Sequence, residues 1–553
     1  MQHYKNFING KWIDSESKET IKVDDPATGK VIGEISCAKK TEVDLAINAA
    51  RKSYNSRILV DMPLLARAKL MRKIADETRK VAKEGGELLC YENGKTLGAA
   101  VKEFNDVADM FDYYAGLTDK LEGKTIPVAK NVFDYTVLEP FGISAHIVPW
   151  NYPLSMIGRS LACSFATGNS TIIKTAELTP LSATIFAKAI VNAGVPDGLI
   201  NIICGYGNEA GSYLVSHEDV NHVVFTGSVS TGKKILHACA DKAIPAVVEL
   251  GGKSAGIVFP DADLDEVVDS ARHAIFGVAG QICTAMSRVV VHKSVKDELV
   301  DKLVDLSKSL KIGPGIEKDT DLTPVISENQ LQKVEGYARS GIQEGAEAAH
   351  GGKRVERDGY FMEPTILNNV KQEMTVAREE IFGPVLSVIE YNDQEEAITL
   401  SDNIGILDKG ILIQEGSPSE VYEHPNSEFI ATFLGDSNII PVKRYEGGFR
   451  LSDGSPIQID HENSVLPDKF KVCIRAEKIF ILEGEKNGSE EFQNQYDVEI
   501  EQSFFAGKSL TYLVGLAGIK LKVFQQNATG KRHAEGNRIK IAWKSSDMNF
   551  LEK

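Results

Sequence analysis

The sequence predicts an α/β protein that ends in a small all-β domain. Two observations carry this. Between residues 160 and 270, short apolar runs ending in turn residues alternate with helical stretches, the pattern of a mostly parallel sheet wrapped by helices. After residue 441 the helical periodicity nearly vanishes, and short strands follow one another between polar turns, which predicts a small barrel. A chain of 553 residues is too long for one ordinary domain, and three or four are expected.

Taken in order, helical periodicity runs through 41–56, where Val43, Ala46, Ile47 and Ala50 share a face, and through 61–85. Another long helix is expected over 98–121, ending near Gly123. FDYTVLEPFGISAHIVPW, residues 133–150, alternates and is rich in β-branched residues, so strands are expected there. TIIKT, LINIICG, VNHVVFTG, PAVVELGG and SAGIVFPD read as further strands, with helices such as 180–194 and 230–241 between them. A second α/β stretch follows, with a strand at RVVVH and a helix over 294–310. Residues 403–440 read as a strand–turn–helix run. The tail strands are GGFRLSDGSPIQID, FKVCIRAEKIFILE, YDVEIEQSFFAG, SLTYLVGL, IKLKVFQ and RIKIAWK.

Composition narrows the function classes. With 62 basic and 78 acidic side chains the formal net charge is −16, which argues against non-specific nucleic-acid binding. There is no run of 18 apolar residues, so no membrane insertion is expected. The amino-terminal MQHYKNFINGKWIDSES has no apolar core of a signal peptide. The seven cysteines are scattered and never spaced Cys-x-x-Cys, which points to free thiols in a reducing cytoplasm and gives no metal signature. His146, His222 and His273 lack any partner pattern and read as structural.

The chemistry concentrates in separated motifs. Cys283 stands in GQIC and Glu249 in VELGG, a nucleophile-and-base pairing. PWNYP carries Trp150 and Asn151, and GNSTIIKTAELTP carries Lys174 and Glu177. VVFTGSVSTG carries Phe225, Gly227, Ser228 and Gly232, and EEIFGPV carries Glu380 and Phe382. GSVSTGK is nearly a phosphate-binding P-loop, but Lys234 follows where Mg²⁺ binding needs Ser or Thr.

In this order and spacing the motifs resemble the aldehyde dehydrogenase superfamily, from residue 1 to about 400. The resemblance implies a Rossmann-like NAD domain (1–121 and 141–251), an oligomerisation hairpin (122–140) and an α/β catalytic domain (252–402). It implies that Cys283 attacks the aldehyde, that Asn151 and the Cys283 N–H hold the oxyanion, and that Glu249 activates water against the thioester. Acyl transfer to coenzyme A is disfavoured by the presence of Glu249. Gly227, Ser228 and Gly232 would meet the diphosphate at a helix start. Lys174 and Glu177 would hold the adenine-side ribose, with Glu177 favouring NAD over NADP. Trp150, Glu380 and Phe382 would flank the nicotinamide end. Arg159, eight residues after Asn151, stands where related enzymes acting on semialdehydes with a carboxylate, and some acting on aromatic aldehydes, carry Arg; the alternative is a structural ion pair at the tunnel wall.

The plan breaks near residue 400. Residues 403–440 resemble the end of an ABC importer ATP-binding subunit, and 441–553 its OB-like TOBE regulatory domain, with Arg475, Ala476 and Glu477 where that family reads Arg-Pro-Glu. Walker A, signature loop and Walker B are absent, so no ATP hydrolysis is expected. DQEEAITLSD, residues 393–402, fits both families, which points to a fusion, made in the genome or in assembly of the sequence. The catalytic domain would then be truncated, with an exposed sheet edge and a homo-oligomer weakened by the missing terminal strand. A non-enzymatic chain whose TOBE-like module binds a small ligand or transporter partner is the competing reading.

Overall fold

The computed structural model describes the chain except for residues 394–395, 397–403, 409–410, 461–466, 483–490, 506–508, 527–531 and 552–553. Most of the expected join at 393–402 therefore lies outside the described residues. The chain divides into two compact units, Met1–Glu390 and Tyr391–Lys553.

The first unit is built on a seven-stranded sheet. Its order is Ala246–Leu250, His222–Gly227, Ile143–Ile147, Ser170–Thr175, Ile200–Cys204, Asn6–Ile8 and Lys11–Ile13. The first five strands run parallel, and the amino-terminal pair is antiparallel. Adjacent residues on one strand feed opposite cores. Ile172 packs on the side of Val43, Ala46 and Ile47, while Ile173 packs with Phe104, Phe111 and Phe186. This two-sided burial accounts for the continuous apolar runs in the sequence.

Two helices differ from expectation. The second runs Leu64–Asn93, well past 85, and ends at Gly94 with φ 87°. Gly85 and Gly86 do not stop it. They let the helix Leu97–Ala115 approach: a Cβ at Gly85 would overlap the Phe104 ring, and one at Gly86 would lie 2.9 Å from Val101 backbone. The Leu97–Ala115 helix stops short of 121, capped at Gly116. Of the strands expected over 133–150, Asp134–Tyr135 and Ile143–Ile147 form, and the first pairs with Thr125–Ile126 in a small hairpin.

A second sheet of this unit has the order Ala255–Val258, Arg288–His292, Val385–Tyr391, Thr365–Val370 and Glu347–His350. Helices Leu264–Ala274, Lys296–Ser309 and Glu328–Gln343 accompany it. Among the described residues, Ala255–Val258 is an edge strand, and Ile257 on it is exposed.

The Tyr391–Lys553 unit begins with a hairpin, Ile404–Asp408 and Ile411–Gly416, followed by short helices Pro418–Glu423 and Glu428–Phe433. Two five-stranded antiparallel sheets follow around one core that includes Val472, Tyr512 and Trp543. The strand Ser437–Tyr445 runs through the boundary expected at 440/441, because its alternate residues Asn438, Ile440 and Val442 are buried. Arg475 joins the helices to the sheets. Its guanidinium donates to the carbonyls of Ala431 and Tyr422 at 2.8 and 2.6 Å and stacks on the Tyr422 ring. The Tyr422 hydroxyl in turn donates to Glu477. The Ala476 N–H donates to the Asp436 carbonyl at 3.0 Å, a bond that proline at this position lacks the hydrogen to make.

Two buried carboxylates of the first unit cap helices. Glu92 accepts from the N–H groups of Leu181 and Ser182 at the start of Leu181–Ala193. Burial pushes its carboxyl up to about 7 from 4.5, despite those donors. The folded state then holds more protons than the unfolded one between those values. Glu92's contribution is present below about pH 4.5 and lost as pH rises through about 7. Thermal melting from pH 4.5 to 7 is expected to show a flatter pH slope in Glu92→Gln than in the parent chain.

Candidate active site

The motif residues gather at the carboxyl ends of the parallel strands, where open α/β sheets bind ligands. A cavity of about 260 Å³ is lined by Trp150, Asn151, Arg159, Gly227, Ser228, Glu249, Cys283, Glu380 and Phe382. These residues come from sequence positions more than 200 apart, brought together by the two sheets of one unit. Lys174 and Glu177 lie at the end of the neighbouring strand Ser170–Thr175, outside this cavity lining.

Cys283 follows a tightly wound loop. Val278, Ala279 and Gly280 all have positive φ, at 48°, 53° and 71°. A β-branched residue in that region is an outlier that surrounding structure must hold. Gln281 is the holder. It is buried; its Oε1 accepts from the Ile326 N–H at 2.9 Å, and its Nε2 donates to the Val278 carbonyl at 3.0 Å. Its own carbonyl accepts from Asn151 Nδ2 at 2.8 Å, which ties the two motifs together.

Cys283 is the exposed cysteine of the seven. Burial raises the thiol values of the other six and takes Cys90 and Cys204 up to about 12. Thiolate chemistry at neutral pH is therefore suppressed at those six.

Asn151 is also held from behind. Lys95 Nζ, fully buried, donates to the Asn151 carbonyl at 2.7 Å and pairs with buried Glu103. Glu103 accepts from the N–H groups of Leu154 and Ser155, both at 3.1 Å, at the start of Pro153–Ala166. That helix presents Arg159, whose Nη2 donates to Glu249 Oε1 at 3.0 Å. Lys95 and Glu103 carry no motif that separates them from ordinary polar residues, and Gln281, although it stands in GQIC, has partners that the motif does not name, so their roles emerge only in three dimensions.

At the other end, the Glu380 carboxylate packs against Gly251 and accepts from the Gly252 N–H at 3.3 Å. A Cβ at Gly251 would overlap that carboxylate. Burial raises Glu380, and it depresses neighbouring Lys253 to about 7, with Arg288 adding to the depression. Phe382, at φ 58°, meets Trp150 edge-on at 5.3 Å, and Gln330 holds its carbonyl at 2.7 Å. Gln330 and Lys333, from the helix Glu328–Gln343, complete this wall.

Ser228 caps the helix Val229–Asp241, its Oγ accepting from the Thr231 N–H. Gly232 lies against Leu250 and Gly227 against Phe225, with no room for a Cβ at either. Lys174 Nζ is buried, donates to the Thr175 carbonyl and lies 3.6 Å from Glu177. His146 is fully buried, bonded to Ser144, and pushed down to about 3.

A parallel sheet with a capped helix start at the carboxyl ends of its strands is an arrangement that binds dinucleotides. The model of the aldehyde dehydrogenase family matches residues 12–406, and that of the TOBE domain matches residues 472–551. The chain belongs to the aldehyde dehydrogenase family. It is 40% identical over 456 residues to a mitochondrial aldehyde dehydrogenase of Leishmania tarentolae, covering 81% of this chain and 90% of that one. It is 38% identical to the betaine aldehyde dehydrogenase of Bacillus subtilis, covering 72% and 82%. An NAD⁺ complex of aldehyde dehydrogenase from Bacillus cereus superimposes with TM-score 0.71 at 38% identity, covering 72% of this chain and 82% of that one. Among the described residues no helix is long and apolar enough to cross a membrane.

Gln281→Leu leaves the Ile326 N–H and Val278 carbonyl without side-chain partners in a buried site. It is expected to lower stability by about 1–3 kcal/mol in denaturant titration. In the parent chain, mapping of brief iodoacetamide labelling should find Cys283 modified ahead of the other six thiols.

Proposed function

We propose that this chain oxidises an aldehyde to a carboxylic acid with NAD, using Cys283 as nucleophile. The observation that carries the proposal is the single pocket holding Cys283, Asn151 and Glu249 beside the capped helix start. Residues 1–121 and 141–251 would form the NAD domain, 252–402 the truncated catalytic domain and 122–140 an oligomerisation hairpin. Exposed Phe133, Val137 and Leu138 support the last assignment.

The donor set fits a dinucleotide. Free N–H groups at the start of a thirteen-residue helix suit a diphosphate. The Glu177 carboxylate suits ribose hydroxyls and repels a 2′-phosphate. Glu380 suits the second ribose, with Trp150 and Phe382 beside it. NAD, when bound, supplies the hydride acceptor.

The thiolate of Cys283 adds to the aldehyde carbon. Asn151 has two amide hydrogens and commits one to the Gln281 carbonyl, so the other is left for the developing oxyanion, with the Cys283 N–H. Loss of hydride from that carbon leaves a thioester on Cys283. Glu249 takes a proton from the water that cleaves it. The product is a free acid.

A second reading concerns the tail. Its own core and the Arg475 clamp support a TOBE-like module that folds with residues 404–440, as in the regulatory end of an importer subunit. In that reading the tail binds a ligand or partner and contributes nothing to oxidation.

The purified chain is expected to form NADH with an aldehyde panel, and Cys283→Ala to abolish it. Glu249→Gln is expected to keep a single-turnover burst while slowing steady-state turnover by about 10²–10⁴-fold. Glu177→Gln should narrow the preference for NAD over NADP in the same assay. Soluble, folded chain without turnover on any aldehyde would favour the second reading.

A further inference from the structure

Trp150, Asn151 and Tyr152 lie between Pro149 and Pro153, and the first helix-type bond of this stretch runs from the Met156 N–H to the Tyr152 carbonyl at 3.0 Å. The two carbonyls before it are held by side chains instead. Asn93 Nδ2 donates to the Trp150 carbonyl at 2.8 Å, and Thr179 Oγ1 donates to the same oxygen at 3.2 Å. Lys95 Nζ donates to the Asn151 carbonyl at 2.7 Å. Asn93 and Lys95 flank Gly94, which ends the helix Leu64–Asn93 at φ 87°. That left-handed step lets both side chains reach one loop, and a Cβ at Gly94 would lie 2.9 Å from Pro324. Both side chains are buried, and neither lines the Cys283 pocket.

These bonds fix more than two oxygens, because a peptide unit is planar. The Trp150 oxygen belongs to the plane that enters the Asn151 Cα, and the Asn151 oxygen to the plane that leaves it. With both planes pinned, the φ and ψ of Asn151 are set, and so is the direction of its Cβ. From there Nδ2 donates to the Gln281 carbonyl at 2.8 Å, which leaves its second hydrogen a single direction. Lys95 has no donor to spare for other work. Its N–H bonds face Glu103, the Asn151 carbonyl and the Tyr152 ring, whose centre is 4.0 Å from Nζ.

We propose that Lys95 and Asn93 are positioning residues for the oxyanion donor. They touch no reacting atom and act through Asn151. The Asn151 amide stabilises the oxyanion formed on Cys283 only while both flanking carbonyls are pinned. Without Lys95 the amide keeps its hydrogens and loses its aim. A misplacement of about 1 Å at a reacting centre is enough to cost on the order of 10²-fold in rate. Thr179 shares the Trp150 carbonyl with Asn93, whereas the Asn151 carbonyl depends on Lys95, so Lys95 carries the larger part. The inference rests on the reading of Cys283 and Asn151 as nucleophile and oxyanion donor. It adds to that reading two residues from a helix end outside the pocket.

Lys95→Met alone would leave Glu103 charged and unpaired in the interior, and loss of folding is expected. Lys95→Met/Glu103→Gln removes both charges, while the Gln oxygen still accepts from the N–H groups of Leu154 and Ser155. This double variant should unfold in denaturant at nearly the parent's midpoint. NADH formation from propanal by the full chain then gives a mutant cycle. Asn151→Ala should lower kcat by roughly 10²–10³-fold, and the double variant by about 10²-fold. All three substitutions together should fall no more than about threefold below Asn151→Ala, since a misdirected amide has nothing further to lose. Asn93→Ala should show the same non-additivity with a smaller loss. An unchanged kcat in the double variant, or losses that multiply, would overturn the inference. A crystal structure of the double variant is the second measurement and needs no turnover. Asn151 is expected to leave the Gln281 carbonyl; an Asn151 still bonded there overturns the inference whether or not the chain turns over. A displaced Asn151 in a chain whose parent forms no NADH would count against the oxidation reading alone.

Discussion

Lys95 and Glu103 are charges taken almost wholly out of water, and the proposed active site is arranged around them. Such a pair is tolerable only if its remaining donors and acceptors are filled. Lys95 uses its spare hydrogen on the Asn151 carbonyl, and Glu103 uses its second oxygen on the first N–H groups of Pro153–Ala166. Lys95 also lies over the Tyr152 ring at 4.0 Å. The pair therefore fixes the backbone at Asn151 and the start of the helix that presents Arg159. Through Asn151 Nδ2 and the Gln281 carbonyl the same chain of bonds reaches the Cys283 loop. Burial lowers Lys95, and Glu103 opposes that shift.

The sequence made the reactive groups legible because each sits in a motif whose shape has a local reason. Gly251 has no Cβ because Glu380 presses on it, and Gly232 has none because Leu250 does. The supporting groups were not legible. Lys95 and Glu103 act through partners 8 to 56 residues away, and nothing in their immediate neighbours marks them; Gln281 stands in GQIC, but its reach to Asn151 and Ile326, 130 and 45 residues away, is not written there. The same blindness affected the helices. Gly85 and Gly86 have the composition of a helix end, yet they serve a close crossing with Leu97–Ala115 that only the third dimension reveals. Arg159 was legible as a cation at the tunnel, but not its partner, since Glu249 lies 90 residues on.

The two units carry separate physical signatures. In Met1–Glu390, sheets are buried on both faces or along most of their width, and their strands read as apolar runs. In Tyr391–Lys553, strands such as Ser509–Leu516 alternate buried and half-buried residues, as in a thin two-sheet module with one interior. Arg475 shows how the short helices 418–433 are kept. They bury few side chains of their own, Val421, Ile430 and Ala431 among them, and a single guanidinium gathers their carbonyl ends onto the sheets. The alanine at 476 adds a backbone bond there rather than removing one.

The one exposed thiol among seven has a cost that lies outside the reaction itself. A cysteine reachable from solvent is reachable by peroxide, and its first oxidation product, a sulfenic acid, is rescued by condensation with a neighbouring thiol. The other six are buried or half-buried, each with its thiol value raised, so none offers a ready thiolate to close such a disulfide. Oxidation at Cys283 would then run on toward irreversible acids unless a small soluble thiol intervenes. The working lifetime of this protein is thereby tied to the reductant around it rather than to the stability of its fold.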